Sequence, residues 1–588
     1  MCGIIGYVGN KNASSILLNG LKNLEYRGYD SCGIAVLNKE LQTRKNVGKV
    51  SEVAKKENFL GLMGRMGIAH TRWATHGGVT KENAHPHLSN NKKIAVVHNG
   101  IIENHEELKK FLKNKGFNFY SETDTEVIPN LIEYEFSRNQ DFVQACKKAL
   151  KRLKGSYAVL ILSAYFDGVI ASRHESPLVI GVGDNEFFAA SDIPAFLEYT
   201  KKVVYLYDYD FVVLNKNIKI FNLKKNEEVK IKISSIDWSV SQAKKGDFEH
   251  FMLKEINEQV ETLKKALHQD KRVLNKIVTN LKNAKNIFFV ACGSSYHAAL
   301  TASYLFSSIA NKQVNVMVAS EFPNFNHFIN KNSVVLAISQ SGETADVLES
   351  VKYAKQKGAK IISIVNVMGS SLVRDSDEFL LLNAGPEICV LSTKSYTSQV
   401  VLLTLLAYSL VNKYEEVLKK INYLWNVVYY LTSENMKTRI KELARRIKNK
   451  EHLFTIGRGL EYPTAMEAAL KIKEVSYIHA EAFPGGELKH GTIALIEKNT
   501  PCIVFVSEKN KHLIISNATE LKSRGAYIIG VASVNNPVFD FWIKVPETNS
   551  FNPITQIIPI QLLAYELALL RKCNPDMPRN LAKSVTVK

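Results

Sequence analysis

Through roughly the first 210 residues, apolar and polar positions alternate in short bursts broken by Gly, His and Asn, as at Val96-Val97 and Ala158 to Ser163. Alternation of that length predicts half-buried strands. Between these bursts, Ser14–Leu24, Thr125–Glu135 and Phe142–Leu153 place apolar residues at helical spacing. The first part therefore reads as mixed α+β with antiparallel sheets, covering residues 2–215. Residues 216–246 turn rich in Lys and Ser and end in Lys244-Lys245-Gly246, which reads as a linker. From about residue 247, fully apolar strand patterns alternate with longer helical ones, the βαβ signature of a parallel sheet.

This second part repeats itself. The segment from Asn286 to Gly293 matches that from His452 to Gly457, and Ser333 to Ser339 matches Thr500 to Ser507. Lys357-Gly358-Ala359 likewise matches Arg524-Gly525-Ala526. Three segments in one order at nearly one spacing imply two homologous doubly wound domains, at 280–425 and 445–575, followed by a tail at 576–588.

Composition narrows the class. A chain of 588 residues with 46% hydrophobic and 23% charged residues has length for two or three ordinary globular domains. Its seven cysteines are scattered with no C-x-x-C pair, which argues against a disulfide framework or a zinc site and for a reducing compartment. No basic segment followed by an apolar one opens the chain, so no signal peptide is expected. The aliphatic run Val400 to Val411 is too short to span a bilayer. These features predict a cytoplasmic protein. The net charge of +19 comes from dispersed lysines rather than an Arg-rich arm or an aromatic platform, so it predicts a solvated surface and no nucleic-acid partner.

The chain opens Met1-Cys2-Gly3-Ile4. Once the methionine is removed, Cys2 carries both a thiol and an α-amino group that titrates at about pH 8, close enough to neutrality to take the thiol's proton. Nucleophile and general base then belong to one residue. Arg72, in His70-Thr71-Arg72-Trp73-Ala74-Thr75-His76-Gly77, suits a bidentate grip on a carboxylate. Asn99 and Gly100 offer a side-chain amide and a backbone N–H, the two donors that an oxyanion needs. Asp124, in Ser121-Glu122-Thr123-Asp124-Thr125, could hold an ammonium group. Taken singly, these are also a surface ion pair, a hairpin turn and a helix cap.

Taken in order, Cys2-Gly3-Ile4, Glu25 to Ser31, His70 to His76, Asn83 to His87, His98 to Asn104 and Ser121 to Glu126 closely resemble the glutaminase domain of the glutamine–fructose-6-phosphate aminotransferase (isomerizing) family. The resemblance implies an N-terminal-nucleophile hydrolase fold of α/β/β/α layers with Cys2 as nucleophile. It implies Asn99 and Gly100 as oxyanion hole and Arg72, Thr75, His76 and Asp124 as the glutamine clamp. Trp73 would gate the passage of ammonia.

In the second part, the strand Val334 to Ile338 ends at Ser339-Gln340-Ser341-Gly342-Glu343-Thr344 and a helix follows. A polar turn opening a helix presents free N–H groups and the positive end of the dipole, as a phosphate requires. Gly293-Ser294-Ser295 forms a second such turn at the carboxyl edge of the same sheet, where open α/β sheets bind ligands. Further on, Lys471 and Glu474 stand three apart on one helix and share a face. They form either an exposed ion pair or a proton-shuttling carboxylate beside a cation.

These segments are similar to the two sugar isomerase domains of the same family, so the likeness runs from Cys2 to the tail. It implies that Ser294, Ser295, Ser339, Gln340, Ser341 and Thr344 bind a sugar phosphate, with Val390, Ser392 and Ala582 lining the pocket. His490 of a neighbouring subunit would open the fructose 6-phosphate ring, Lys583 would form a Schiff base at C2, and Glu474, assisted by Lys471, would carry a proton from C1 to C2. L-Glutamine and D-fructose 6-phosphate are the implied substrates, a homodimer the implied assembly, and neither metal nor organic cofactor is required. Ser294 stands where the family usually has Thr, which keeps the hydroxyl. The long insertion of animal enzymes is absent, as in the bacterial type. Two other readings compete with this one. A different amidotransferase would show an acidic diphosphate loop or a Ser-Gly-Gly-x-Asp ATP loop, and a sugar-phosphate sensor would not need Glu474, His490 and Lys583 together.

Overall fold

A computed structural model describes residues 2–74 and 76–586, the side chain of Val240 apart. The chain divides into two compact units. One comprises the residues up to Lys244 and the tail from Ala582, and the other runs from Lys245 to Leu581.

The first unit is built on an eight-stranded and a seven-stranded sheet, with every recorded strand pair antiparallel. Gly3–Val8 runs in the middle of the larger sheet, between Met66–Arg72 and Phe187–Ala190, and all its residues are buried. One apolar layer joins the inner faces of the sheets through Ile4, Ala35, Val97 and Leu160. A second joins the larger sheet to the helix Ala13–Leu24 through Leu17 and Leu21. A third joins the smaller sheet to the helices Val127–Asn139 and Phe142–Lys151 through Leu131 and Cys146. Helix, sheet, sheet, helix is the layering expected from the resemblance.

The stretch expected as a linker contributes strands. Ile218–Asn222 pairs with Asp210–Leu214, Glu227–Glu228 extends the same sheet, and Ser234–Ser235 extends the other. Ile218 and Ile220 pack into the layer between the sheets and Phe221 packs on the opposite side, apolar contacts that the Lys and Ser content of the stretch obscured. The unit boundary itself falls at Lys244 and Lys245.

In the second unit two five-stranded parallel sheets have the same order. The first runs Asn315–Val318, Asn286–Ala291, Ser333–Ser339, Lys360–Val365, Glu378–Leu381. The second runs His479–Pro484, His452–Gly457, Pro501–Phe505, Tyr527–Ala532, Phe541–Lys544. The internal repeat is therefore a repeated fold. A continuous core joins one face of both sheets to the helices Lys394–Leu410 and Asn552–Leu570. The segment Asn549–Leu570 is long and apolar enough to cross a membrane, yet 83% of its most apolar window is buried inside the protein, as in a core helix of a large domain.

Candidate active sites

Cys2 precedes the central strand of the larger sheet, and the paired register Gly3 to Thr71 carries the following Arg72-Trp73 segment alongside it. The Trp73 N–H donates to Cys2 Sγ at 3.2 Å, and the thiol faces the Trp73 carbonyl at 3.3 Å. This approach needs small residues. A Cβ at Gly3 would lie 2.8 Å from Leu24 Cβ, and one at Gly28 would lie 2.7 Å from the Arg72 carbonyl carbon. Asn99 Nδ2 donates to the Cys2 carbonyl at 2.9 Å, so amide and sulfur belong to one pocket. Gly100 has φ +130, and a Cβ there would collide with the Ser156 carbonyl. Burial pushes the Cys2 thiol up, while nearby positive charge, Arg72 included, and the Trp73 N–H favour the thiolate.

Arg72 Nη2 donates to the His76 and Gly77 carbonyls at 2.5 and 3.2 Å, and Nη1 donates to the Gly78 carbonyl at 3.0 Å. The guanidinium thus shapes the loop beside Cys2. Burial lowers its pKa, and the charges of Cys2, Asp30 and Asp124 act in the opposite direction. Asp124 is buried and accepts the Ile102 N–H at 2.7 Å, which fixes its carboxylate. His76 keeps a buried Nδ1 without a hydrogen-bond partner. Trp73 sets its ring edge-on to Tyr29 at 5.5 Å. Thr75 lies outside the described residues.

Beneath this pocket sit four buried histidines, 70, 85, 87 and 98, the first two stacked at 4.0 Å between centroids. Burial is the first cause that lowers the pKa of each, that of His70 to about 3. Burial thus favours the neutral imidazole at each. A histidine depressed on folding binds fewer protons than in the unfolded chain, so its contribution is complete above the unfolded pKa of about 6.5 and is lost as pH falls toward the folded value. We expect the melting temperature of the first unit to drop between pH 7 and pH 5, with a shallower drop in His70→Gln. Melts followed by circular dichroism check this, and identical slopes would remove the cluster from the account.

The second constellation lies in the second unit, at the carboxyl edge of its first sheet. Lys471 and Glu474, on the helix Glu461–Ser476, form an ion pair at 2.8 Å, with the lysine almost wholly buried. Lys471 Nζ also donates to Ser294 Oγ at 3.1 Å and to the Ser392 carbonyl at 3.3 Å. Burial disfavours the Lys471 ammonium, but Glu474 and Glu467 outweigh it and hold the group above its ordinary range. Ser295 Oγ accepts from Gln399 Nε2 at 3.0 Å. In the other turn, Ser339 Oγ accepts the Gly342 N–H at 3.1 Å and meets Thr344 Oγ1 at 2.9 Å, while the Glu343 N–H donates to Ser341 Oγ at 3.2 Å. The helix Ala345–Gln356 follows at once, so hydroxyls and N–H groups converge on its positive end. Gly342 has φ +66, and a Cβ there would fall on Ser370. Gln340 accepts the Asn366 N–H through its carbonyl, and the Val390 N–H donates to the Asp576 carbonyl.

Not every expected residue joins this cluster. His490 ends an exposed turn, Glu487–His490, and among the described residues no hydrogen bond links it to Lys471, Glu474 or Ser294. Ala582 and Lys583 belong to the tail that groups with the first unit.

Two buried acids escaped the sequence reading. Glu467 is wholly buried and meets Ser294 Oγ and His297 Nδ1 at 2.8 Å each, with Lys471 at 3.5 Å. Its signal was the helical spacing of Glu467, Lys471 and Glu474, which puts all three on one face. Glu387 accepts the Thr393 and Ser395 N–H groups at 3.0 Å each and the Ser395 hydroxyl at 2.7 Å. That clamp depends on a loop fold with no periodic signature.

Comparison with known proteins identifies the domains that carry these residues. Residues 280–409 and 446–571 each match the family described as SIS domain, and residues 70–198 match the glutamine amidotransferase domain. The chain is 46% identical, over all of both chains, to the glutamine--fructose-6-phosphate aminotransferase [isomerizing] of Thermococcus kodakarensis. It is 43% identical, again over all of both, to the protein of that name from Methanococcus maripaludis. Among solved structures, the C-terminal domain of glucosamine-fructose-6-phosphate aminotransferase from Francisella tularensis is similar at 35% identity and TM-score 0.52, covering 57% of this chain and 100% of that one.

Proposed function

This chain belongs to the glutamine–fructose-6-phosphate aminotransferase (isomerizing) family, and we infer from that how its two sites share one reaction. The enzyme transfers the amide nitrogen of L-glutamine to D-fructose 6-phosphate and isomerises the product, giving D-glucosamine 6-phosphate and L-glutamate. The observation that carries the reading is the buried Lys471–Glu474 pair beside the Ser294 turn, in a chain that also presents Cys2 bracketed by Trp73.

In the first unit, methionine removal frees the Cys2 α-amine, which takes the thiol proton. The sulfur attacks the glutamine amide carbon. Asn99 Nδ2 and the Gly100 N–H receive the developing oxyanion. Arg72 and Asp124 hold the α-carboxylate and α-ammonium, with Thr75 and His76 completing the clamp. Collapse expels ammonia and leaves a thioester, which water converts to glutamate.

In the second unit, the turns at Ser294-Ser295 and Ser339 to Thr344 bind the phosphate, with Val390, Ser392 and Ala582 along the pocket. His490 of a neighbouring subunit opens the sugar ring, a role supported by its exposure and by its separation from the Lys471 cluster; the working enzyme is then a homodimer. Lys583 condenses with the C2 ketone, losing water, and ammonia displaces the lysine to leave an imine at C2. Glu474, held beside the Lys471 ammonium, takes a proton from C1 and returns it at C2. The reaction is cytoplasmic and draws on no metal or organic cofactor. The test is incubation with glutamine and fructose 6-phosphate, with mass detection of the amino sugar. Absence of that product would sink the assignment.

Trp73 adds a separable expectation. Its backbone grips the nucleophile and its ring leans on Tyr29, so the side chain controls what leaves the pocket. In Trp73→Ala, glutamate formation should outrun glucosamine 6-phosphate formation several-fold, read by assaying both products. A ratio equal to the wild type's would remove the gate.

A further inference from the structure

The fold repeat carries a site repeat. Aligning Gly293 on Gly459 and Tyr296 on Tyr462 superposes the buried positions of the helices Gly293–Ala310 and Glu461–Ser476, such as Ala298 with Thr464 and Ala302 with Ala468. The same alignment sets Lys471 against Leu305 and Glu474 against Ser308. Leu305 and Ser308 line a cavity of about 770 Å³ at the carboxyl edge of the second sheet. Its other walls are the turn after the first strand of that sheet, the turn after Pro501–Phe505, and the segment leading into the helix Asn552–Leu570. Each repeat thus has a crevice made from its own strand ends and from the opening helix of the other repeat. In the second crevice an apolar side chain and a hydroxyl stand where the first has the lysine–glutamate pair, so it is an open cavity without those proton-transfer groups.

Its polar groups remain organised. Glu461 is buried at 3% exposure and accepts from Asn510 Nδ2 at 2.5 Å and from Asn552 Nδ2 at 3.4 Å. Asn552 Nδ2 also donates to Glu547 at 2.6 Å, so one amide holds two carboxylates together. Burial, first, and the Glu547 charge raise the Glu461 carboxyl to about 7. That cost would be relieved by a cation between the two acids. Near them Arg458 has a buried Nε with no hydrogen-bond partner. Lys509 is exposed at the rim, ahead of the helix Lys511–Ser523, whose N-terminus adds positive potential. Among the described residues no ion pair is recorded for Glu461 or Glu547 and no acceptor for the Arg458 Nε, and the two features in one crevice call for a ligand carrying both charges.

We propose that this cavity is a second, non-catalytic binding site for a phosphorylated amino sugar, its ammonium between Glu461 and Glu547 and its phosphate on Arg458 and Lys509. The choice of an amino sugar rests on the reaction assigned above, whose product has that chemistry. A neutral sugar phosphate would bury the two acids without a partner.

The test is equilibrium dialysis of the full chain with labelled glucosamine 6-phosphate, in excess fructose 6-phosphate to hold the first-repeat site and without glutamine. One equivalent per chain should still bind. It should be lost in Leu513→Trp, a change at a cavity-lining residue 59% exposed and therefore tolerable to the fold. In Glu547→Gln its Kd should rise about tenfold or more, as expected when a charge loses its partner. Complete displacement by fructose 6-phosphate, or unchanged binding in both variants, would overturn the site. Product formation from glutamine and fructose 6-phosphate, measured on the same preparations, reports independently on the assigned reaction. A wild type that makes product but binds no residual equivalent refutes the second site alone.

Discussion

Cys2→Ala abolishes glutamine-dependent formation of glucosamine 6-phosphate, with a loss on the order of 10⁶ if the nucleophile accounts for as much here as in serine hydrolases. The expectation follows from geometry. The sulfur is the only atom of this side chain that can form the thioester, and Asn99 is fastened to the Cys2 carbonyl, so the oxyanion donors stay in place after the substitution with nothing to serve. The fold loses two weak contacts to Trp73, about 1 kcal/mol in total, too little to unfold a unit with three apolar layers. Fructose 6-phosphate binding, read by dialysis, should match the wild type. Product assayed by mass at more than a trace would contradict Cys2 as nucleophile, and so would a fully active preparation whose intact mass retains Met1.

Lys583→Arg should abolish synthesis as thoroughly, while glutamate release from glutamine survives at least in part. Arginine keeps the charge, and any phosphate attraction that comes with it, but a guanidinium is a weak nucleophile that stays protonated and cannot form the C2 imine. Lys583→Ala should behave the same way, which separates covalent chemistry from electrostatics. The readouts are glucosamine 6-phosphate, glutamate, and mass trapping of the sugar on the tail after borohydride reduction. Trapped sugar on the wild type and none on either variant is the expected pattern. Synthesis in Lys583→Arg within tenfold of the wild type would end the Schiff-base role.

How much of this could be read from the sequence depended on how local the signal was. Cys2 was legible because its position, rather than a distant partner, supplies the base. The strand–turn–helix at Ser333 to Gln356 was legible because apolar run, polar turn and helical period follow one another, and the helix begins where the pattern changes. Glu467 was missed because an acid inside an apolar helix reads as an exposed position until its partners Ser294 and His297, 173 and 170 residues away, are brought to it. The four histidines were visible as residues but not as a cluster, since His70 and His98 come from strands of different sheets and His85 stacks on His70 from a loop between them. The strands between Ile218 and Ser235 were lost to their brevity and polar content: two are only two residues each, Glu227–Glu228 and Ser234–Ser235, and at a sheet edge such short polar segments resemble loops.

Glu467 sits in the second repeat, and two of the three groups it touches sit in the first. The two copies thereby share one polar cluster. A polypeptide severed between the repeats would leave one fragment with a carboxylate stripped of two of its partners and the other with an imidazole and a hydroxyl that no longer face it. Only fragments re-associating as a pair would regain the pocket.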